Sequence, residues 1–300
     1  MKEKNTVLIR MQKHKGSFQI ITAGILWGVI SLFVRRLSVW GFDPMQIAFV
    51  RMTTAAVMLT LFALFRDKSR MKIKLRDIWM FAGTGIISIV LFNCCYFYGL
   101  IHGEASVAVV LLYTSPIFIM IFSRIIFKDK ITASKIIALI MTIVGCVLVS
   151  GAIGSGHSVS AIVFTAGICS GLFYGLYSIF GKFALEKYDS LTVTVYTFIF
   201  GAIGSLPFSR PVDTVKLAVS SSEVILLCIG IGLISTLLPY YLYTEGLRYT
   251  GPSRAGILAA VEPMVGALIG ITLFGELHNV LKLSGIVLIL IALIVNSFKT

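Results

Sequence analysis

Long apolar stretches alternate with short polar or glycine-rich breaks from one end of the chain to the other. Ten such stretches run over about residues 17–39, 44–65, 78–101, 105–127, 131–150, 161–185, 190–209, 223–247, 252–274 and 279–298. Each is long enough to cross a hydrocarbon layer of about 30 Å. The apolar positions are continuous, without the every-other-residue alternation of a barrel strand, so the stretches predict transmembrane helices. The gaps between them, of which RDKSRMKIKLRD from Arg66 to Asp77 is the most polar, leave no room for a water-soluble domain. The pattern predicts an all-α membrane protein of ten transmembrane helices.

Composition points the same way. The chain is 57% hydrophobic and 13% charged, whereas a soluble domain carries about a quarter charged residues. A net charge of +13 invites a nucleic-acid reading, but the positions of the bases oppose it. With the N-terminus in the cytoplasm, twenty Lys and Arg residues fall in or beside inner loops. Only Arg35, Arg36, Arg210, Lys216 and Lys282 fall outside, and Arg51 lies within a span. That is the positive-inside bias. It predicts a multi-pass cell-membrane protein with both termini cytoplasmic and no nucleic-acid partner. The first apolar run ends in Arg35–Arg36 without an A-x-A-like site, so it is expected to stay as the first span rather than be cleaved. All five cysteines sit within spans as small apolar fillers, and no metal site or cofactor is expected.

Sliding the chain against itself by 147 positions lays Gly83–Phe127 on Gly230–Phe274 without a gap. Identities include Gly83/Gly230, Ser88/Ser235, Tyr96/Tyr243, Ser106/Ser253 and Pro116/Pro263. The first and sixth spans share TAGI, Thr22–Ile25 and Thr165–Ile168, at the expense of a small gap. The division this predicts is a cytoplasmic segment 1–16, a five-helix repeat 17–150, an outer linker 151–160 and a second five-helix repeat 161–298. Because five is odd, the second copy must enter the membrane inverted relative to the first. Inverted repeats of this kind are typical of secondary transporters, with the solute site near the midplane between the halves.

Four motifs carry a resemblance to a known group: AGILWG (Ala23–Gly28), FDPMQIAFVR (Phe42–Arg51), YGLIHGEASVAVVLLYTSPIF (Tyr98–Phe118) and EGLRYTGPSRAGILAAVEPMVGALIGITLFGE (Glu245–Glu276). The chain resembles the EamA-type members of the drug/metabolite transporter superfamily over roughly 17–298. One departure is Asp129, which stands where the family usually has Glu. The resemblance implies movement of a small organic solute across the plasma membrane, driven by an ion gradient or exchange. Amino acids, amines, sugars and drug-like solutes are the candidate classes, and the protein would act as a monomer or homodimer.

One dipeptide breaks the apolar background most sharply. Glu262–Pro263 lies at the middle of the ninth span, where an ionisable side chain costs roughly 2.5–3.5 kcal/mol and usually faces protein or a wet cavity. Burial disfavours a carboxylate's charge, so Glu262 is the candidate proton carrier or partner of a cationic group; a structural acid paired with a neighbouring helix is the competing reading. Pro263 and its mate Pro116 each remove a backbone hydrogen bond and are candidate hinges bordering the site, with a kink that serves packing alone as the equal alternative. Arg51, about 10 Å below the outer surface at 1.5 Å per residue, is expected to meet a substrate carboxylate or to neutralise Glu262; pairing with backbone or lipid headgroups is the equal alternative. Asn93, Tyr96, Tyr174, Tyr177, Thr236 and Tyr240 supply polar handles, and tyrosine faces can hold an ammonium group. Tyr243 and Glu245 are expected in the interfacial belt. Asp129 and Glu276 are read as helix-end or gate acids, with Lys135 and Lys282 placed to pair with them. The glycines, Gly28, Gly171, Gly175 and Gly232 among them, mark close helix contacts.

No intramembrane catalytic motif is present in the spans, so an enzyme is not expected. A membrane channel or a non-transporting scaffold remains the alternative to a secondary active transporter working by alternating access, with protons or a counter-solute as the coupled partner.

Overall fold

The computed structural model describes residues 2–66, 68–151, 159–275 and 280–298. Glu276, the expected gate acid, and the greater part of the expected outer linker lie outside the described residues. Among those described, nine helices are long and apolar enough to cross a membrane. They are α1 Met11–Val39, α2 Pro44–Arg66, α3 Leu75–His102, α4 Ala105–Phe127, α5 Ala133–Ser150, α6 Ala161–Leu185, α7 Ser190–Phe208, α8 Ser222–Thr250 and α9 Pro252–Phe274. A tenth, α10 Val280–Phe298, is apolar and follows the same pattern.

Loops this short leave the helix ends to local chemistry. Asp43 and Gln46 exchange backbone-to-side-chain hydrogen bonds of 2.9 and 3.0 Å across the start of α2, a capping box. Asp189 accepts from the Thr192 N–H at 2.9 Å before α7, and Ser221 from the Val224 N–H at 3.2 Å before α8. Two helices stop on left-handed residues 147 positions apart: Lys128 (φ 55°) after α4 and Gly275 (φ 63°) after α9.

The repeat is visible in the helices themselves. α4 breaks into Ala105–Leu112 and Ser115–Phe127, and α9 into Pro252–Ala259 and Val261–Phe274. α3 and α8 each widen into a π-helical stretch, Gly83–Val90 and Leu233–Leu237, ending at repeat-equivalent residues. Each helix also meets a partner from the other half: α1 packs on α8 and α9 as α6 packs on α3 and α4, while α2 packs on α7 and α5 on α10. In the last pair Gly145 lies against Ile289 while Gly285 lies against Val149. Residue numbers rise on one helix as they fall on the other, so these repeat mates run antiparallel. The two halves thread the layer in opposite senses.

The structure corrects one alignment. The TAGI match sets Gly24 against Gly167, but Gly24 backs onto the Ala259 carbonyl and Val261, whereas it is Gly171 that backs onto the Leu112 carbonyl and Thr114. Gly28 and Gly175 likewise face the Glu262 and Ser115 carbonyls. The 147-residue register therefore extends through α1 and α6 with no gap, and the shared TAGI letters sit one helical turn out of step. By that register Trp27 is the mate of Tyr174, and Ser31 of Ser178.

A short helix, Pro211–Ala218, lies between α7 and α8 where only a loop was expected. Its eight residues are too few to register as an apolar period. Pro211 at its start and Asp213 in its first turn are local signals for it.

Candidate functional site

The ten-helix run begins and ends on one face, here the terminal face; the opposite one is the distal face. Midway between them α9 breaks. The Ala260 N–H falls back to the Ile257 carbonyl at 3.2 Å, and Pro263, lacking an N–H, sits in the first turn of the resumed helix. α4 breaks in the same way, the Thr114 N–H reaching the Leu111 carbonyl at 3.2 Å, with Pro116 in the following turn. The carbonyls loosened at Leu112 and Ala259 face the glycine backbones of Gly171 and Gly24, and both residues are buried in protein, where freed backbone groups in a membrane belong.

Glu262 occupies the first turn after the break in α9, where the amide ends of a helix favour negative charge. It is half-buried, and the Tyr174 hydroxyl donates to its Oε2 at 3.1 Å. It lines a cavity of about 310 Å³ together with Trp27, Tyr96, Tyr113 and Pro263, and this cavity reaches Ser31, Ser150 and Lys282 toward the distal face. Two expected residues, Tyr96 and Tyr174, are thus brought to Glu262, and Pro263 borders the same space.

Below Glu262, toward the terminal face, the chain closes. Trp27 stacks edge-on to Tyr240 at 5.0 Å between centroids and lies 5.3 Å from Tyr243; Tyr177 meets Tyr240 at 5.2 Å. The Tyr177 hydroxyl shares a 2.6 Å hydrogen bond with Thr244, and the Tyr243 hydroxyl another of 2.6 Å with Ser178. The space left among these rings is about 10 Å³, at the lower limit of what a single water needs. Tyr177 and Tyr240 therefore form a plug beneath the cavity. Tyr243 overturns the interfacial-belt expectation: it is 4% exposed, inside that plug. Glu245 departs from it as well, because it accepts from Ser190 at 2.5 Å and from Tyr249 at 3.2 Å.

Arg51 does not ion-pair with Glu262. Its Nε donates to Thr236 Oγ1 at 3.1 Å, and Thr236 in turn donates to the Ile231 carbonyl at 2.9 Å. Asn93 is buried and spends its amide on the Ile89 carbonyl of its own helix at 2.7 Å. Asp129 stands at the end of α4, accepting from Ser253 at 2.9 Å and pairing with Lys135 at 3.6 Å. Nearby on the terminal face Asp77 holds Lys187 at 2.6 Å and the Tyr188 hydroxyl at 2.8 Å, joining the start of α3 to the end of α6.

Sequence reasoning missed Trp27, Tyr113 and Asp77. Trp27 carried a usable signal, since the gapless register pairs it with Tyr174; Tyr113 and Asp77 carried none beyond their side-chain type.

Comparison with known proteins adds three findings. A family model described as "EamA-like transporter family" matches twice, over residues 14–151 and 161–298. An uncharacterised transporter of Archaeoglobus fulgidus is 26% identical over 93% of this chain and 95% of its own length, and an uncharacterised inner membrane transporter of Salmonella typhimurium is 25% identical over 96% of each. A solved crystal structure superposes with a TM-score of 0.76 at 17% identity, covering 93% of this chain and 95% of that one.

Proposed function

The chain belongs to the EamA-like transporter family, and from that premise we propose that it is a secondary active transporter in which Glu262 exchanges a proton, or a cationic solute group, during alternating access. One observation carries the reading. The half-buried carboxyl of Glu262 is held by Tyr174 in a cavity that extends toward the distal face, above the packed rings of the plug. Energy spent on placing an acid at the midplane needs a return, and exchange of a proton or cation is the return that this position offers.

The solute is a small organic molecule with an amine head and an apolar body. A cavity of about 310 Å³ lies at the lower end of small-molecule pockets, about 300–1,000 Å³. Its lining offers the carboxyl of Glu262 and the rings of Trp27, Tyr96 and Tyr113, groups that suit an ammonium. The terminal face is taken as cytoplasmic on the distribution of Lys and Arg, which makes the cavity outward-open. The inner-membrane relative supports a place in the cell membrane.

The test is transport in proteoliposomes. Labelled amines, amino acids and sugars are offered with and without a pH gradient, to the wild type and to Glu262→Gln. An amine flux that responds to the gradient, and loses that response in Glu262→Gln, is the expected result. Unchanged flux and unchanged gradient response in the variant would remove Glu262 from the coupling path.

A further inference from the structure

The plug on the terminal face is fastened by a hydrogen bond that has a silent twin. Tyr243 of α8 and Ser178 of α6 share their hydroxyls at 2.6 Å. Subtracting the repeat register of 147 gives Tyr96 of α3 and Ser31 of α1, again a tyrosine and a serine. The register at these helices rests on packing and not on letters alone, since Gly24 and Gly28 face the same points of α9 that Gly171 and Gly175 face on α4. Tyr96 and Ser31 both line the open cavity, and Ser31 turns its hydroxyl back to the Gly28 carbonyl at 3.4 Å.

We infer that Tyr96–Ser31 is the latch of the distal face, open here, and that it forms when Tyr243–Ser178 breaks. When two inverted halves exchange conformations, contacts made by one pair of helices are taken over by their mates. In the exchanged state α3 and α1 take the spacing now held by α8 and α6. The Tyr96 hydroxyl then reaches Ser31 above Glu262, sealing the distal side, while Tyr243 withdraws from Ser178 and opens the terminal side. Each latch is a hydrogen bond spanning two helices that must separate, so the two bonds cannot both form at once.

This rests on the alternating-access reading, but its test needs no substrate. Ser150, which lines the cavity near the distal face, is replaced by cysteine in a background with the five native cysteines removed, and its labelling rate by a membrane-impermeant thiol reagent reports the distal-open population. Tyr243→Phe and Ser178→Ala weaken the closed terminal latch and lower the labelling. Tyr96→Phe and Ser31→Ala weaken the absent distal latch and leave labelling equal or higher. A single neutral hydrogen bond shifts such a ratio about fivefold, provided both states are populated. Cross-linking of a Ser31→Cys/Tyr96→Cys pair by a short bifunctional thiol reagent, with no other cysteine present, gives the second readout: it must run faster when Ser178→Ala is added. Labelling that falls in Tyr96→Phe as it does in Tyr243→Phe, or a distal cross-link that forms no faster with Ser178→Ala, overturns the inference. Loss of transport with the opposite-signed labelling intact would count against the substrate or coupling reading alone.

Discussion

Glu262 accepts a hydrogen bond from the Tyr174 hydroxyl, has the Tyr113 hydroxyl as a second partner, and forms no ion pair with Arg51. A hydrogen bond to a charged acceptor is worth about 1.5–3 kcal/mol, so Tyr174→Phe removes a large part of what fixes the carboxylate. Transport by that variant is expected to fall tenfold or more while the amount of folded protein holds, because the ring and its contacts with Trp27 and Phe92 remain. Arg51 acts on the site at a distance and through Thr236. Arg51→Lys keeps the positive charge but gives up the Nε donor, whereas Arg51→Ala gives up both. Transport retained in the lysine variant and lost in the alanine variant would show that charge is the contribution; equal loss in Arg51→Lys, Arg51→Ala and Thr236→Ala would assign it to the anchor. Glu262 was legible in the sequence because an acid in a greasy run is an anomaly, and Tyr174 because it carries a hydroxyl at matching depth. Tyr113 was not, since an aromatic residue among apolar residues has the same look whether it faces lipid, a neighbouring helix or a cavity; Trp27 became legible only once the 147-residue register was carried through α1.

The broken helices α4 and α9 work as paired elements, each backed by a glycine helix. A Cβ on Gly171 would come within 2.8 Å of the Leu111 carbonyl oxygen, and backbone cannot swing aside as a flexible side-chain tip does. Gly171→Val is therefore expected to separate α6 from α4 and to lower the yield of monodisperse protein in detergent, a loss that size-exclusion profiles read directly. The same replacement at Gly41 (φ 87°), which has open space around it, is strained by conformation alone and should leave the helix packing intact; equal damage at both sites would contradict the close-contact account. The helices themselves were readable from hydropathy, as were the two breaks, because proline at depth has few other consequences. The α1/α6 register was not. Four shared letters favoured the wrong turn of the helix, and only the carbonyls that each glycine faces identify the right one. The short helix Pro211–Ala218 escaped for the opposite reason: its signals are local, and its length leaves no period to detect.

Inversion makes the two halves nearly symmetric in arrangement but not in chemistry, and under the proposed alternating access that asymmetry biases which face stands open. The terminal plug holds Tyr240 and Tyr177, whose mates in the 147-residue register are Asn93 and Ile30. Aromatic contacts of the Trp27–Tyr240 and Tyr177–Tyr240 kind add about 0.5–1.5 kcal/mol each beyond the area they bury, and neither Asn93 nor Ile30 has a ring with which to make such a contact. With equal latches on the two sides, that surplus alone favours the state closed at the terminal face and open at the distal face, which is the arrangement observed. Among the described residues, polar surface anchors occur on both sides: Asp77–Lys187 and Asp129–Lys135 on the terminal face, and Arg36–Glu223 at 2.7 Å with Asp43–Arg210 on the distal face. Giving the terminal plug the residues of its mate, Tyr240→Asn with Tyr177→Ile, removes the surplus. The distal-open population should then fall several-fold, seen as slower labelling of Ser150→Cys from the distal side, while the helical content by circular dichroism stays that of the wild type. If labelling is unchanged in a folded double variant, the resting preference comes from somewhere other than the rings.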